Sequence, residues 1–406
     1  MRILFIVPYV PNLVRVRPYQ LIRNLCAGGH QVILGTLWAD EQEFKGLTEI
    51  EAVCERVVAK QIPKVKSLSN CLLALPTSKP LQYVYSWEPS LESELEGVIL
   101  QYQAEIDVIH VEHLRGAQYG ARLQTFLKRN HLSIPIIWDS VDSISNLFRQ
   151  SSRKSKQAFK RWLTQFELYR TENYECNLAN KFEHVLVTSA VDRNHFLSLK
   201  DGSVSEDQIS ILPNGVDLTY FHLCEDQERE KDTLVVSGKM SYHANISMTL
   251  FLVTEIMPLI WEKRPEVRLW IVGKDPSPEI SKLAQNPLIA VTGMVPDLGD
   301  YLRLATLAVA PIVYGTGIQN KVLEAMACGT PVVTSPQALN ALEAVAGRDL
   351  EQASTPAEYA EKILYLLATP GHRQELGKAG RIYVENHHQW PVIAERLVKI
   401  YHEAGK

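Results

Sequence analysis

The sequence predicts an α/β protein made of two Rossmann-like, doubly wound domains, and three observations carry that reading. At 406 residues the chain exceeds what one hydrophobic core ordinarily serves, since single cores stop growing at roughly 250–300 residues. Short β-branched runs alternate with longer helical patterns along its length, as in parallel sheets covered by helices. The alternation stops once and restarts. Pro213-Asn214-Gly215-Val216-Asp217 is a turn-forming break, and 225–231 follows as a polar stretch without apolar periodicity.

In the first half the predicted strands are 3–7, 32–36, 108–111, 134–138, 185–188 and 209–212. The helix after the first strand carries Leu21, Ile22 and Leu25 on one face and stops at Gly28-Gly29, where glycine takes the left-handed turn that ends helices. In the second half the predicted strands are 234–236, 269–272, 289–292, 307–310 and 332–333, with helices over 244–262, 298–304 and 320–327. The stretch 357–404 is helical, broken near Pro370-Gly371 and near Pro391. These patterns set domain limits at 1–215 and 216–385, with 386–406 as a helix packing back on the first domain. Ligands are expected at the carboxyl ends of the strands and in a cleft between the halves.

Composition narrows the class. An apolar fraction of 46% with 22% charged residues is that of a soluble globular protein. No window approaches the roughly 18 uninterrupted apolar residues of a spanning helix. The run Ile3-Leu4-Phe5-Ile6-Val7 is followed by no small-residue cleavage site and reads as a buried strand, not a signal peptide. Cys26, Cys54, Cys71, Cys176, Cys224 and Cys328 lack C-x-x-C spacing, so the expectation is neither a zinc site nor a disulfide framework, in a reducing, cytoplasmic compartment. A formal charge of −4 argues against a nucleic-acid partner. Arg149, Arg153, Lys154, Lys156, Lys160, Arg161 and Arg170 face one acid, Glu167, and Phe148, Phe159, Trp162 and Phe166 lie among them. Two readings stay open for 148–166: a helix lying on an anionic inner membrane surface, or a solvated helix with an ordinary core face.

The segment with the most chemistry lies between the predicted strand near Val313 and the helix from Asn320. Gly315 and Gly317 bracket a loop whose backbone N–H groups, with the helix amino terminus, suit an anion such as a diphosphate. Lys321 in the first helical turn opposes the helix dipole, which a phosphate partner would rationalise. Glu324, one turn on, suits two vicinal ribose hydroxyls. Taken alone, the segment also fits a structural strand-loop-helix with surface charges.

The string Lys321-Val322-Leu323-Glu324-Ala325-Met326-Ala327-Cys328-Gly329-Thr330-Pro331-Val332-Val333 closely resembles the nucleotide-sugar signature of retaining glycosyltransferases of family four, which have the GT-B fold. With Gly317-Ile318-Gln319-Asn320 before it, it is similar to a subgroup associated with bacterial exopolysaccharide systems. Pro213-Asn214-Gly215-Val216-Asp217, Asp107-Val108-Ile109-His110 and the turn Val291-Thr292-Gly293-Met294-Val295 resemble collinear landmarks of that family, as do Phe5-Ile6-Val7-Pro8 and Gly29-His30-Gln31-Val32. The resemblance implies an NDP-sugar donor carrying UDP or GDP. It implies transfer with retention to a saccharide or lipid-linked acceptor in polysaccharide or glycoconjugate synthesis, with no metal and no further cofactor. Glu324 would hold the ribose, Gly293 and Val295 the base, and Gly315 the diphosphate. The location implied is cytoplasmic, peripheral at the inner face of the plasma membrane.

The sequence departs from the family at three places. Where a second glutamate is expected eight positions before Glu324 stands Thr316, so the backbone N–H groups of Thr316, Gly317 and Ile318 are the expected substitutes. Of a basic pair after the first strand of the second half, Lys239 is present and Ala244 replaces its partner, leaving Lys239 and Lys321 to face the phosphates. Where many relatives have a histidine stands Trp138-Asp139-Ser140-Val141-Asp142, with Asp142 nearest. Asp142 is either the group that orients or deprotonates the acceptor hydroxyl, or, like Asp139, a cap on the next helix. His110, Glu112 and His113 are candidates for lining the cleft. Two other functions stay open: a non-catalytic GT-B nucleotide-binding partner protein, which Thr316 and Ala244 suggest, and a nucleotide-sugar epimerase on the same fold.

Overall fold

The computed structural model describes residues 1–13, 15–154, 158–199, 204–223 and 228–405. Its contacts divide it into two compact units, Met1–Pro213 with Trp390–Lys406, and Asn214–Gln389.

In the first unit, among the described residues, β1 (Arg2–Val7), β2 (Gln31–Trp38), β3 (Arg56–Gln61), β4 (Val108–Glu112), β5 (Ile136–Val141), β6 (His184–Val187) and β7 (Ile209–Ile211) form one sheet. Its order is β3-β2-β1-β4-β5-β6-β7, parallel throughout. The strands are apolar because helices cover both faces. On one face the helix Val16–Ala27 places Tyr19, Leu21, Ile22 and Leu25 beside Trp390, Ile393, Leu397, Ile400 and Tyr401 of the helix Trp390–Ala404. On the other, Leu91, Leu95, Leu114 and Leu123 come from the helices Pro89–Tyr102 and His113–Arg129.

The edge strand β3 is absent from the sequence expectation because only Val58 in it is buried, so no apolar run marks it. The basic stretch read as one helix is two, Ile144–Lys154 and Ala158–Ala179. Phe148 packs against the core while Trp162 and Phe166 are exposed. Residues 155–157, and the side chains of 153–161 including Phe159, lie outside the described residues.

In the second unit β8 (Glu230–Ser237), β9 (Arg268–Val272), β10 (Ile289–Gly293), β11 (Ala305–Ala310), β12 (Val332–Thr334) and β13 (Glu351–Gln352) form a parallel sheet in the order β10-β9-β8-β11-β12-β13 among the described residues. β8 begins at Glu230, inside the stretch read as aperiodic, because its first two residues are exposed and only then does burial start. Residues 224–227, Cys224 among them, lie outside the described residues.

The helix His243–Phe251 runs through a π turn, Leu252–Ile256, into Met257–Lys263. Pro258 lacks the N–H that would continue the ladder, which accounts for the widened turn. This 21-residue stretch, with an 18-residue window of mean hydropathy 1.4, is long and apolar enough to span a membrane by length and composition. Met248, Leu252, Ile256, Met257 and Ile260 are buried in the core, which accounts for its apolar character.

Strand order reverses between β1 and β4 in the first sheet and between β8 and β11 in the second. In open parallel sheets such switch points open a crevice outside the carboxyl ends of the strands, where ligands bind.

Candidate functional site

At the switch point of the second unit the strand ends are stripped of side chains. Gly238 follows β8 with φ +144°, Gly273 follows β9 with φ +150°, and Gly293 closes β10 with φ +69°. Gly238 N–H donates to the Val272 carbonyl at 3.1 Å and Gly273 N–H to the Gly293 carbonyl at 3.1 Å. A Cβ on Gly273 would stand 1.8 Å from the Gly238 oxygen, and one on Gly238 would stand 2.8 Å from the Asn245 amide nitrogen and 3.4 Å from Lys321 Cε. No side chain fits at either position, so the backbone forms the floor and the Lys321 stem passes over it.

The loop after β11 supplies the wall. Gly317 turns it with φ +65°, and Ile318 anchors it in the core at 8% exposure. Gln319 Nε2 donates to the Thr316 carbonyl at 3.2 Å, and a Cβ on Gly315 would press on that amide at 3.2 Å. The helix Asn320–Ala327 then starts with no side-chain cap on its amino terminus; Val322 N–H donates to the Gln319 carbonyl at 2.9 Å, and the N–H groups ahead of it face the loop. Lys321 Nζ donates to Gln319 Oε1 at 3.3 Å. Burial pushes the Lys321 amine down to about 8 and the Glu324 carboxyl up to about 7, each opposed by the other's charge.

The remaining predicted residues are arranged less tightly. Lys239 is half exposed and 3.9 Å from the Asp275 carboxylate. Met294, at the base-contacting turn, is 80% exposed, while Val295 packs against the core. Three residues beyond the sequence reading join them. Asn245, next to Ala244, donates from its amide to the Lys239 carbonyl at 3.0 Å and fixes that loop. His243 Nδ1 and the Tyr314 hydroxyl meet at 2.7 Å, with rings stacked at 5.6 Å. Gly238 and Gly273 were legible as glycines ending apolar runs; the His243–Tyr314 contact, across 71 positions, was not.

In the first unit Asp142 follows Val141, a β-branched residue at φ +67°, a backbone conformation held only where surroundings enforce it. Its Oδ1 accepts from the Thr188 hydroxyl at 3.0 Å. Burial and then the charge of Asp192 push its carboxyl up to about 7. The cap reading fails for both aspartates. The helix Ile144–Lys154 is capped by Ser143 Oγ, which accepts from Asn146 N–H at 3.2 Å, and by the Glu175 carboxylate, which accepts from Ile144 N–H at 2.7 Å. Asp139 instead takes Arg17 Nε and Nη2 at 3.0 and 2.7 Å.

His110 and Glu112 do not line an opening. His110 is wholly buried, stacked on Phe5 at 4.0 Å and bonded through Nδ1 to the Tyr401 hydroxyl at 2.8 Å. Glu112 is 1% exposed and accepts from Tyr9 at 2.7 Å; burial raises its carboxyl to about 8. His113 is half-buried at the start of its helix with φ +63°.

Two parallel-sheet α/β units match the fold of the GT-B glycosyltransferases. Comparison with known proteins agrees: residues 231–369 match the family described as Glycosyl transferases group 1. The chain is 27% identical over 261 residues to an MMP alpha-(1->4)-mannosyltransferase of Mycolicibacterium hassiacum, a match covering 61% of this chain and 59% of that relative. It is 21% identical over 357 residues to a D-inositol 3-phosphate glycosyltransferase of Arthrobacter sp., covering 82% and 80%. Thus the chain spans about 59% of the length of the mannosyltransferase. Among solved structures, Anabaena HepE in complex with UDP-glucose superposes with a TM-score of 0.67 at 14% identity, covering 99% of this chain and all of that one. Sucrose-phosphate synthase of Thermosynechococcus elongatus does so with 0.67 at 18%, covering 99% and 98%.

Proposed function

We propose that this protein is a retaining glycosyltransferase that moves a hexosyl group from an NDP-sugar to a hydroxyl of a saccharide or lipid-linked acceptor. The observation that carries the reading is the Lys321 and Glu324 pair on the first turns of an uncapped helix beside the floor of Gly238 and Gly273. In this reading Glu324 accepts from the ribose hydroxyls. The helix terminus and the Thr316, Gly317 and Ile318 N–H groups meet the diphosphate, and Lys321 and Lys239 neutralise the charge that grows on it as the sugar departs. Gly293 and Val295 lie against the base and Gly315 leaves room for the phosphates. Asp142, its carboxyl near neutral pH, orients and relieves the acceptor hydroxyl of its proton. The relatives named as mannosyl- and inositol-phosphate glycosyltransferases support sugar transfer, and UDP-glucose in HepE supports a nucleotide-sugar donor.

The test begins with a thermal-shift screen against UDP, GDP and their sugars, because a ligand stabilises in proportion to RT ln(1 + [L]/Kd). Glu324→Ala is expected to raise donor Kd about tenfold or more while the unliganded melt stays put; unchanged donor affinity overturns the site. Asp142→Asn is expected to lower kcat roughly 100-fold with donor affinity intact. Because lysines serve the diphosphate, EDTA is expected to leave turnover unchanged. Product formed from donor alone would point to an epimerase, and donor binding without turnover on any acceptor to a non-catalytic partner.

A further inference from the structure

In the first unit the helix Lys64–Ala74 is inverted relative to a core helix. It turns small or polar residues inward, with Ser67 and Ala74 buried, and large apolar ones outward. Val65 is 77% exposed, Leu68 60%, Leu72 67% and Leu73 76%. Val65, Leu68, Leu72 and, just past the helix end, Leu75 recur at the spacing of a single stripe.

A second apolar face adjoins it. On the helix Ala158–Ala179, Trp162, Leu163, Phe166 and Tyr169 are exposed, and Trp162 stacks on Phe166 at 5.8 Å. One guanidinium ties the two faces together. Arg170 lies 4.0 Å over the Phe166 ring and donates to the Leu75 carbonyl at 2.5 Å and the Lys79 carbonyl at 3.3 Å. Glu167 accepts from Leu81 N–H at 2.8 Å. Contiguous exposed apolar surface of this kind marks an interaction site.

The segment that carries the stripe has charge of one sign. From 56 to 80 the sequence holds Arg56, Lys60, Lys64, Lys66 and Lys79 and no aspartate or glutamate. Lys60 is engaged by Glu94, while Lys64, Lys66 and Lys79 are exposed. An aliphatic stripe flanked by lysines, with a tryptophan and a tyrosine beside it, is the composition of helices that lie in the plane of a membrane interface. We infer that this surface docks on an anionic phospholipid bilayer, with the helix Lys64–Ala74 lying flat at headgroup depth and Lys64, Lys66 and Lys79 reaching the lipid phosphates. Of the stretch 148–166, the described residues Trp162, Leu163 and Phe166 contribute and Phe148 does not. The inference is independent of the sugar-transfer reading.

Flotation of the full chain with phosphatidylcholine vesicles, with and without phosphatidylglycerol, tests it. Binding is expected only with phosphatidylglycerol, weakening as salt rises. Leu68→Glu with Leu72→Glu, and separately Lys64→Glu with Lys66→Glu, are each expected to lower the bound fraction roughly tenfold or more. Since all four side chains are exposed, circular dichroism melts and UDP binding should match the parent, which separates lost docking from lost folding. Absence of flotation at low salt, equal flotation on phosphatidylcholine alone, or undiminished binding of the leucine pair variant would each overturn the inference. So would a dimer in light scattering that the leucine substitutions dissolve while vesicles are ignored, since the surface would then cover a second copy.

Discussion

Lys321 illustrates how one side chain links the fold to its chemistry. Its stem is held over Gly238, where a methyl group would approach its Cε at 3.4 Å, and burial lowers its amine to about 8 from 10.5. The unfolded chain therefore binds more protons than the folded one between about pH 8 and 10.5, so this group makes the free protein more stable as pH rises through that window. Diphosphate affinity runs the opposite way: it is full below about pH 8 and falls above it as the amine loses its charge. Calorimetric titration of UDP across this range is expected to show that fall, and Lys321→Arg is expected to flatten it, since guanidinium stays charged. A pH-independent UDP affinity in the parent would remove Lys321 from the phosphate contact.

At the scale of elements, two glycines with opposite surroundings make a paired test. Gly273→Ala forces a methyl group to within 1.8 Å of the Gly238 carbonyl and is expected to cost about 3 kcal/mol or more and to abolish nucleotide binding. Gly97→Ala, in the helix Pro89–Tyr102 with nothing within 4 Å of the new Cβ, is expected to stabilise by roughly 0.5–1 kcal/mol. Urea denaturation of both variants measures the contrast. Elements of this fold were legible where burial writes a continuous apolar run, as in β1 and β11, all but one of whose residues are buried. β3, with one buried residue in six, and β13, with only two residues, are too thinly buried or too short to leave such a trace. In the candidate site, Lys321, Glu324 and the loop glycines were readable from residue type at a helix start. Long-range pairings such as Arg17 with Asp139, 122 positions apart, and the capping of a helix by Glu175, 31 positions from Ile144, are written in the folded backbone alone. For the same reason the complete burial of His110, a candidate for lining the cleft, was not readable from the sequence.

At the scale of the whole molecule, the first unit is made from both ends of the chain. Leu397→Ala, which empties a fully buried position beside Ile22 and Leu25, is expected to destabilise that unit by about 2–5 kcal/mol. UDP affinity is expected to stay unchanged at temperatures where the first unit remains folded. Two resolved calorimetric transitions, of which only the one insensitive to UDP moves, would be the signature; a shift of both would mean that the units unfold as one.

That same arrangement bears on how the protein is made. A ribosome completes the seven strands found among the described residues of the first sheet before it reaches Asn214, yet one face of that sheet lacks the helix Trp390–Ala404 until the whole second unit has been synthesised. At about 5–20 residues per second that interval is on the order of 10–35 s, during which Tyr19, Ile22 and Leu25 have only part of their final cover. The nascent chain thus presents a sticky, half-dressed sheet for far longer than local folding takes, and its yield in a cell should depend on a chaperone that occupies this face until the helix Trp390–Ala404 emerges.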